Sequence, residues 1–243
     1  MAHRLARLAG HVLAAPCAEE TAYTAAPWEG DDDGALSGAV AIVTGASQGV
    51  GKGIATALAK AGATVYMTGR YEDTIAAAAA DVEAAAGGRG RAVGVASDAA
   101  SDDATRALFA RVVQAHDGRL DVLVNNVTMN LSHLGERNTH GAADSANPDE
   151  PPPWWVRDTV EEWDVTNTVG LRSYFLAASL AAPLMASQGS GLIVNISSFG
   201  GVRQYIGVPH GVVKTATDRT VPPPLFTHPP ATAGRPFFRV PLT

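Results

Sequence analysis

Two groups of residues in this chain have the types and spacing to do chemistry. The first is Thr44-Gly45-Ala46-Ser47-Gln48-Gly49-Val50-Gly51, set between a short apolar run and a helix-patterned stretch. A turn this tight needs backbone angles that a Cβ would forbid, and its glycines let an anion approach the main chain closely. The helix that follows offers free N–H groups and its positive dipole end, so the indicated chemistry is the holding of a dinucleotide's diphosphate. The second group is His210 and Lys214, four positions apart and so on one face of a helix. An imidazole with an ordinary pKa near ~6.5 can carry protons, and a neighbouring ammonium pushes that value lower.

The elements that must position these residues follow a regular rhythm. Apolar, β-rich runs at 40–44, 64–68, 91–96, 121–125 and 191–197 read as strands. Helical stretches fall between them: about 51–61, one capped by Asp73 and stopping at Gly87-Gly88, one from Ser101 to about His116, and a long one over 163–185. Strands that are apolar along their whole length and alternate with helices indicate a parallel sheet covered on both faces. The expected fold is a single doubly wound α/β domain of the Rossmann type over 37–220, with a polar insertion at 129–157. Residues 1–36 read as leader and linker, and 221–243 as a proline-rich irregular tail.

Composition narrows the function classes. A length of 243 residues suits one substantial domain, and 46% apolar with 17% charged residues is ordinary for a globular chain. A formal charge of -6 argues against nucleic-acid binding through a general field. Cys17 is the single cysteine, so no internal disulfide forms, and no Cys/His set has zinc-ligand spacing. No metal is expected. No apolar run reaches the ~20 residues of a membrane-spanning helix. Near the start, Arg4 and Arg7 with Leu5, Leu8, Val12 and Leu13 read either as a mitochondrial transit segment or as a frayed alanine-rich leader, which leaves location open between cytoplasm and mitochondrion.

The motif Thr-Gly-x-x-x-Gly-x-Gly resembles that of the short-chain dehydrogenases/reductases. Further matches follow in family order: Asp98 after the third strand, Asn125-Asn126 ending the fourth, and Ile196-Ser197-Ser198 ending the fifth. Val169-Gly170-Leu171-Arg172, with the polar insertion before it, resembles the subgroup of dehydrogenase/reductase family member one. The resemblance runs from about Gly38 to Asp218. It implies that Gly45, Ser47, Gln48, Gly49, Val50 and Gly51 cradle the cofactor diphosphate, that Asp98 contacts adenine or caps its loop, and that Asn125 serves the cofactor site by bracing the sheet. NAD-using relatives carry an acid at the end of the second strand, where this chain has Gly69 followed by Arg70. A guanidinium can hold a 2′-phosphate bidentately, so NADP(H) is expected over NAD(H).

The resemblance also implies hydride transfer between a nicotinamide and a carbonyl or alcohol carbon of a small molecule. A Tyr, a Lys one helical turn later and a Ser serve that step in the family, and the Lys also holds the cofactor ribose. In Val208-Pro209-His210-Gly211-Val212-Val213-Lys214 the lysine is present and the tyrosine position holds His210. Either His210 works as the acid/base or the site is impaired; Tyr205 is a remote substitute. Ser198 is the preferred match for the family serine, with Ser197 as the alternative. The family's helix asparagine aligns with Gly170, and Asn167 reaches that place only through a local bulge. After Arg219 the chain leaves the family pattern for Pro222–Pro224, Pro229, Pro230, Pro236 and Pro241, as sequence from a shifted frame or alternative splice would. The fold is therefore expected to be incomplete at that edge, the fifth strand uncovered and the helices of a homodimer partial. Two readings stand: an NADP(H)-dependent oxidoreductase, or a non-catalytic or truncated inactive dinucleotide-binding protein.

Overall fold

The computed structural model describes residues 34–129, 158–202, 207–220 and 241–242. Five parallel strands, β1 (Val40–Val43), β2 (Thr64–Gly69), β3 (Arg91–Ala96), β4 (Val122–Asn125) and β5 (Leu192–Ile196), carry the sheet in the order β3-β2-β1-β4-β5, with β6 (Pro241–Leu242) beyond β5. Its helices are α1 (Gly49–Lys60), α2 (Glu72–Ala86), α3 (Asp102–Ala115), α4 (Val160–Ser187) and α5 (Val208–Arg219).

Residue alternation in the strands explains the two layers. Ala41 and Val43 of β1 join Ala55 and Ala59 of α1 and Ile75 and Val82 of α2 in one core. Val40 and Ile42 join Leu108 and Val112 of α3 and Ala177, Ala181 and Met185 of α4 in the other. Because both faces of β1 are buried, its sequence has no polar side, as parallel strands require. Strand order reverses between β1 and β4, and the crevice at the carboxyl ends of these strands is where open α/β sheets take ligands. At the opposite end, the buried Asp121 carboxylate accepts from Val40 N (2.8 Å) and Arg119 Nε (2.8 Å), fixing β4 against β1.

The elements differ from the expectation in identifiable places. α2 is capped at Tyr71, and Asp73 lies with Glu72 inside its first turn, where their charge favours the positive end of the helix. α4 begins earlier, at a capping box in which Thr159 Oγ1 accepts from Glu162 N and Glu162 Oε2 accepts from Thr159 N. It contains a π-helical turn at Thr168–Arg172. By length and composition alone α4 could cross a membrane, but Tyr174, Ala177, Ala181 and Met185 are buried in the domain, as in a core helix.

The tail is not wholly irregular: Pro241 and Leu242 pair with Asn195 and Ile196, so the end of β5 has an outer neighbour. A proline is tolerated there because an edge strand does not need its missing N–H. The leader at 1–33, insertion residues 130–157, Tyr205 and tail residues 221–240 lie outside the described residues.

Candidate active site

The glycine turn leaves β1 at the switch point of the sheet. Gly45 and Gly49 have φ of 63° and 55°, in the left-handed region that side chains avoid. A Cβ at Gly45 would lie 2.7 Å from Val127 Cα, and one at Gly51 would lie 2.4 Å from both Asn126 Nδ2 and the Gly45 carbonyl oxygen. The turn is tied to β4 by Asn126, whose Nδ2 donates to the carbonyls of Thr44 (3.0 Å) and Gly45 (2.9 Å) and whose N–H donates to Thr44 Oγ1 (2.9 Å). Gln48 is the N-cap of α1 without a side-chain cap bond, and the first turn of α1 has no acid. Ser47 is half-buried, while Gln48, Gly49 and Val50 are exposed. An uncapped helix start with no carboxylate, above a turn that admits no Cβ, fits the diphosphate of a dinucleotide.

The neighbouring loops fit the rest of such a molecule. At the end of β2 a Cβ on Gly69 would stand 3.4 Å from Ser47 Cβ, so the strand end presses against the turn. Arg70 follows, exposed, with its guanidinium 5.4 Å from the centre of the Tyr71 ring. Asp98 is exposed at the end of β3, and its Oδ1 accepts from Ala100 N (3.0 Å) to shape the loop into α3. Asn125 is buried, and its Nδ2 donates to Asn195 Oδ1 (2.9 Å) and to the Tyr174 carbonyl (3.4 Å). Its amide holds β4 to β5 and α4, and Asn126 is the asparagine that touches the glycine turn.

Across the switch point, β5 is followed by Ser197 and Ser198 and then by a 3-10 turn at Phe199–Gly201. The two serines divide: Ser197 Oγ donates to the Lys214 carbonyl (3.4 Å), whereas Ser198 Oγ lies 3.2 Å from His210 Nε2. Gly200 N donates to the same Ser198 oxygen (3.3 Å), and a Cβ on Gly200 would stand 2.8 Å from His210 Cδ2. Burial, and then Lys214, hold the His210 imidazole below its ordinary pKa. Lys214 is 4% exposed; its Nζ donates to the Ile196 carbonyl (3.0 Å) and lies 5.8 Å from the centre of the Tyr174 ring. Burial holds its ammonium below the ordinary value, opposed by Asp218. Tyr174 is buried, its phenol pushed upward by that burial, and its hydroxyl donates to the Val127 carbonyl (2.9 Å).

Asn167 does not join this group. Its Nδ2 donates to the Trp163 carbonyl (2.8 Å) one turn back in α4, so the π-turn, which begins only at Thr168, leaves it on its own helix. Gly170 inside that turn is buried, and a Cβ there would be 2.9 Å from Val213 Cγ1, so the turn lies against α5. Two further residues position the site. Tyr174 links α4 to the loop after β4, and Asp158 Oδ2 accepts from Val208 N (2.7 Å) at the start of α5. A shallow pocket beside His210 is lined by Met129, Asp158, Glu162, Thr166, Gly207 and Pro209.

A family model described as short chain dehydrogenase matches residues 39–210, from β1 to His210. The chain belongs to the short-chain dehydrogenase family. It is 41% identical over 184 residues to "Dehydrogenase/reductase SDR family member 1" of Mus musculus, covering 76% of this chain and 54% of that protein. It is 33% identical to a D-beta-hydroxybutyrate dehydrogenase of Cupriavidus necator, over 73% of this chain and 62% of that one. A solved metagenomic short-chain oxidoreductase in complex with NADP superposes with a TM-score of 0.62 at 32% identity, over 76% of this chain and 73% of that chain. The chain thus spans about half the length of its mammalian short-chain dehydrogenase relative. Within the short-chain dehydrogenase fold, the glycine turn and the Ser198–His210–Lys214 group occupy the carboxyl ends of β1 and β5 and the start of α5.

Proposed function

We propose that this chain is an NADP(H)-dependent oxidoreductase of reduced catalytic power, acting between a small carbonyl compound and its alcohol. The observation that carries the reading is the Ser198 Oγ to His210 Nε2 contact of 3.2 Å, with Lys214 one helical turn further on and the glycine turn across the crevice. The nicotinamide nucleotide, when bound, supplies the hydride. The uncapped start of α1 and the backbone of Gly45–Gly51 receive its diphosphate, and Arg70 takes the 2′-phosphate that distinguishes NADP(H). A neutral His210 carrying its proton on Nε2 donates to the substrate oxygen, and the Ser198 hydroxyl is the second donor.

The reduced power follows from the same residues. The family's phenol is helped by a nearby ammonium, which draws its pKa toward the working pH. An imidazole beside the same ammonium is instead driven further toward its neutral form, and the burial of His210 acts in the same direction. Neutral imidazole is a poor acid toward an alkoxide-like oxygen, and its shorter reach sets it back from that oxygen. A fluorescence titration with NADPH, run beside a carbonyl-reductase assay, tests the reading. Tight binding with slow turnover, raised by His210→Tyr, is the expected result; absence of binding overturns it. Binding with no turnover in either protein supports the second reading, a non-catalytic dinucleotide-binding protein, which the burial of His210 and its contact with Ser198 favour.

A further inference from the structure

The replacement that weakens one reaction leaves the parts of another. We propose that Ser198 and His210 form a nucleophile–base dyad that hydrolyses small activated esters without any nucleotide. Their separation of 3.2 Å is within the reach of a nucleophile and its general base. Gly200 N already donates to Ser198 Oγ (3.3 Å). That bond occupies a lone pair of the hydroxyl, leaves its O–H free to point at Nε2 in the tautomer whose proton sits on Nδ1, and stabilises the charge that grows on oxygen as the proton departs. Gly200 also forms the wall against which the ring rests, since any Cβ there would be 2.8 Å from His210 Cδ2. The imidazole is held in a buried place, while Ser198 stays partly exposed to an incoming acyl group. The depressed basicity of His210 keeps it unprotonated near neutrality, the state a general base needs.

The chemistry balances without an oxidant or a second reactant beyond water. Ser198 Oγ bonds to the acyl carbon as its proton passes to His210 Nε2. Collapse breaks the bond from the acyl carbon to the leaving oxygen, which takes the proton from Nε2. Water then adds to the seryl ester, giving a proton to Nε2, and collapse releases the carboxylic acid and returns the proton to Ser198 Oγ. A neutral imidazole offers a free ring-nitrogen lone pair without first losing a proton, which a phenol does not, so the activity is tied to the departure from the family pattern.

The test uses the full chain and p-nitrophenyl acetate with no nucleotide present, so its outcome does not depend on the oxidoreductase reading. Expected are nitrophenolate release that rises with pH through an apparent pKa below that of free imidazole, and a single acetyl group on the peptide carrying Ser198. General-base catalysis contributes about 10²-fold or more, so His210→Ala and His210→Tyr should lose at least about tenfold. Ser198→Ala should lose the same, and Ser198→Cys should trap the acetyl as a thioester at position 198. A melting curve for each variant separates loss of activity from loss of fold. Hydrolysis unchanged in folded Ser198→Ala, or acetyl found on Lys214 instead of residue 198, overturns the proposal.

Discussion

At Gly51 one added methyl group has a definite consequence. Its Cβ would stand 2.4 Å from Asn126 Nδ2 and from the Gly45 carbonyl, both held by the bond between them. Overpacking of this kind costs about 1–3 kcal/mol, so Gly51→Ala should lower the urea midpoint and weaken NADPH binding together. Gly53, in the same helix, has nothing within 4 Å of a Cβ. There alanine should instead stabilise by about 0.5–1 kcal/mol, and the opposite signs in paired denaturation curves are the check. His210 gives a pH prediction. Its folded pKa lies below the ordinary 6.5, so between those two values the unfolded chain binds more protons. The stability contributed by the neutral, buried ring is complete above about 6.5 and is lost as pH falls toward the lower folded value. Urea midpoints measured from neutral to mildly acid pH should therefore fall more steeply for this chain than for His210→Gln. Equal slopes would show that the ring titrates as it does in water.

The start of α4 is the element most worth perturbing. Removing the Thr159 hydroxyl opens the capping box, and loss of an N-cap costs about 0.5–2 kcal/mol. The ion pair from Arg172 in the π-turn to Asp102 at the start of α3 is exposed and screened by solvent, so Arg172→Ala should change stability little. Thermal melts of Thr159→Ala and Arg172→Ala should rank in that order. How far such elements could be read beforehand depended on where their signal lies. The strands β1, β2 and β4 were legible because burial on both faces demands apolar runs, and α3 because Ser101 accepts from Ala104 N as an N-cap serine does. Asp73 misled because an acid suits both a cap and a first turn. The π-turn is a change in hydrogen-bond phase that leaves no mark in composition. Asn126 was overshadowed by Asn125 because two adjacent amides look alike until alternation sends one into the core and the other to the turn. Tyr174 sits where any buried aromatic would, and only the approach of Val127 gives its hydroxyl a purpose. The short pairing of Pro241 and Leu242 with β5 was hidden by proline density, which excludes central strands but not edges.

For the whole molecule, the two halves of the sheet meet at the switch point, and the residues proposed to hold the dinucleotide come from both. The glycine turn and Arg70 belong to the β1–β2–β3 half, while Lys214 stands on α5 against β5. Across that junction the glycine turn rests on Asn126 and Val127, and Val127 in turn on Tyr174 of α4. A ligand that spans the crevice adds a bridge which the unfolded chain cannot make, so binding must appear as stability. At a free concentration about 100 times Kd the gain is about 2.7 kcal/mol. For a domain of this size each kcal/mol moves Tm by about 2–4 °C, so NADPH should raise the melting temperature by roughly 5–10 °C. At equal concentration NADH should raise it less, because it lacks the 2′-phosphate proposed to engage Arg70, and Arg70→Asp should reverse the order with little change in the unliganded melt, since the side chain is exposed. Equal protection by both nucleotides would remove Arg70 from the recognition of NADP(H), and protection by neither would mean that the crevice, though shaped for a dinucleotide, does not close on one.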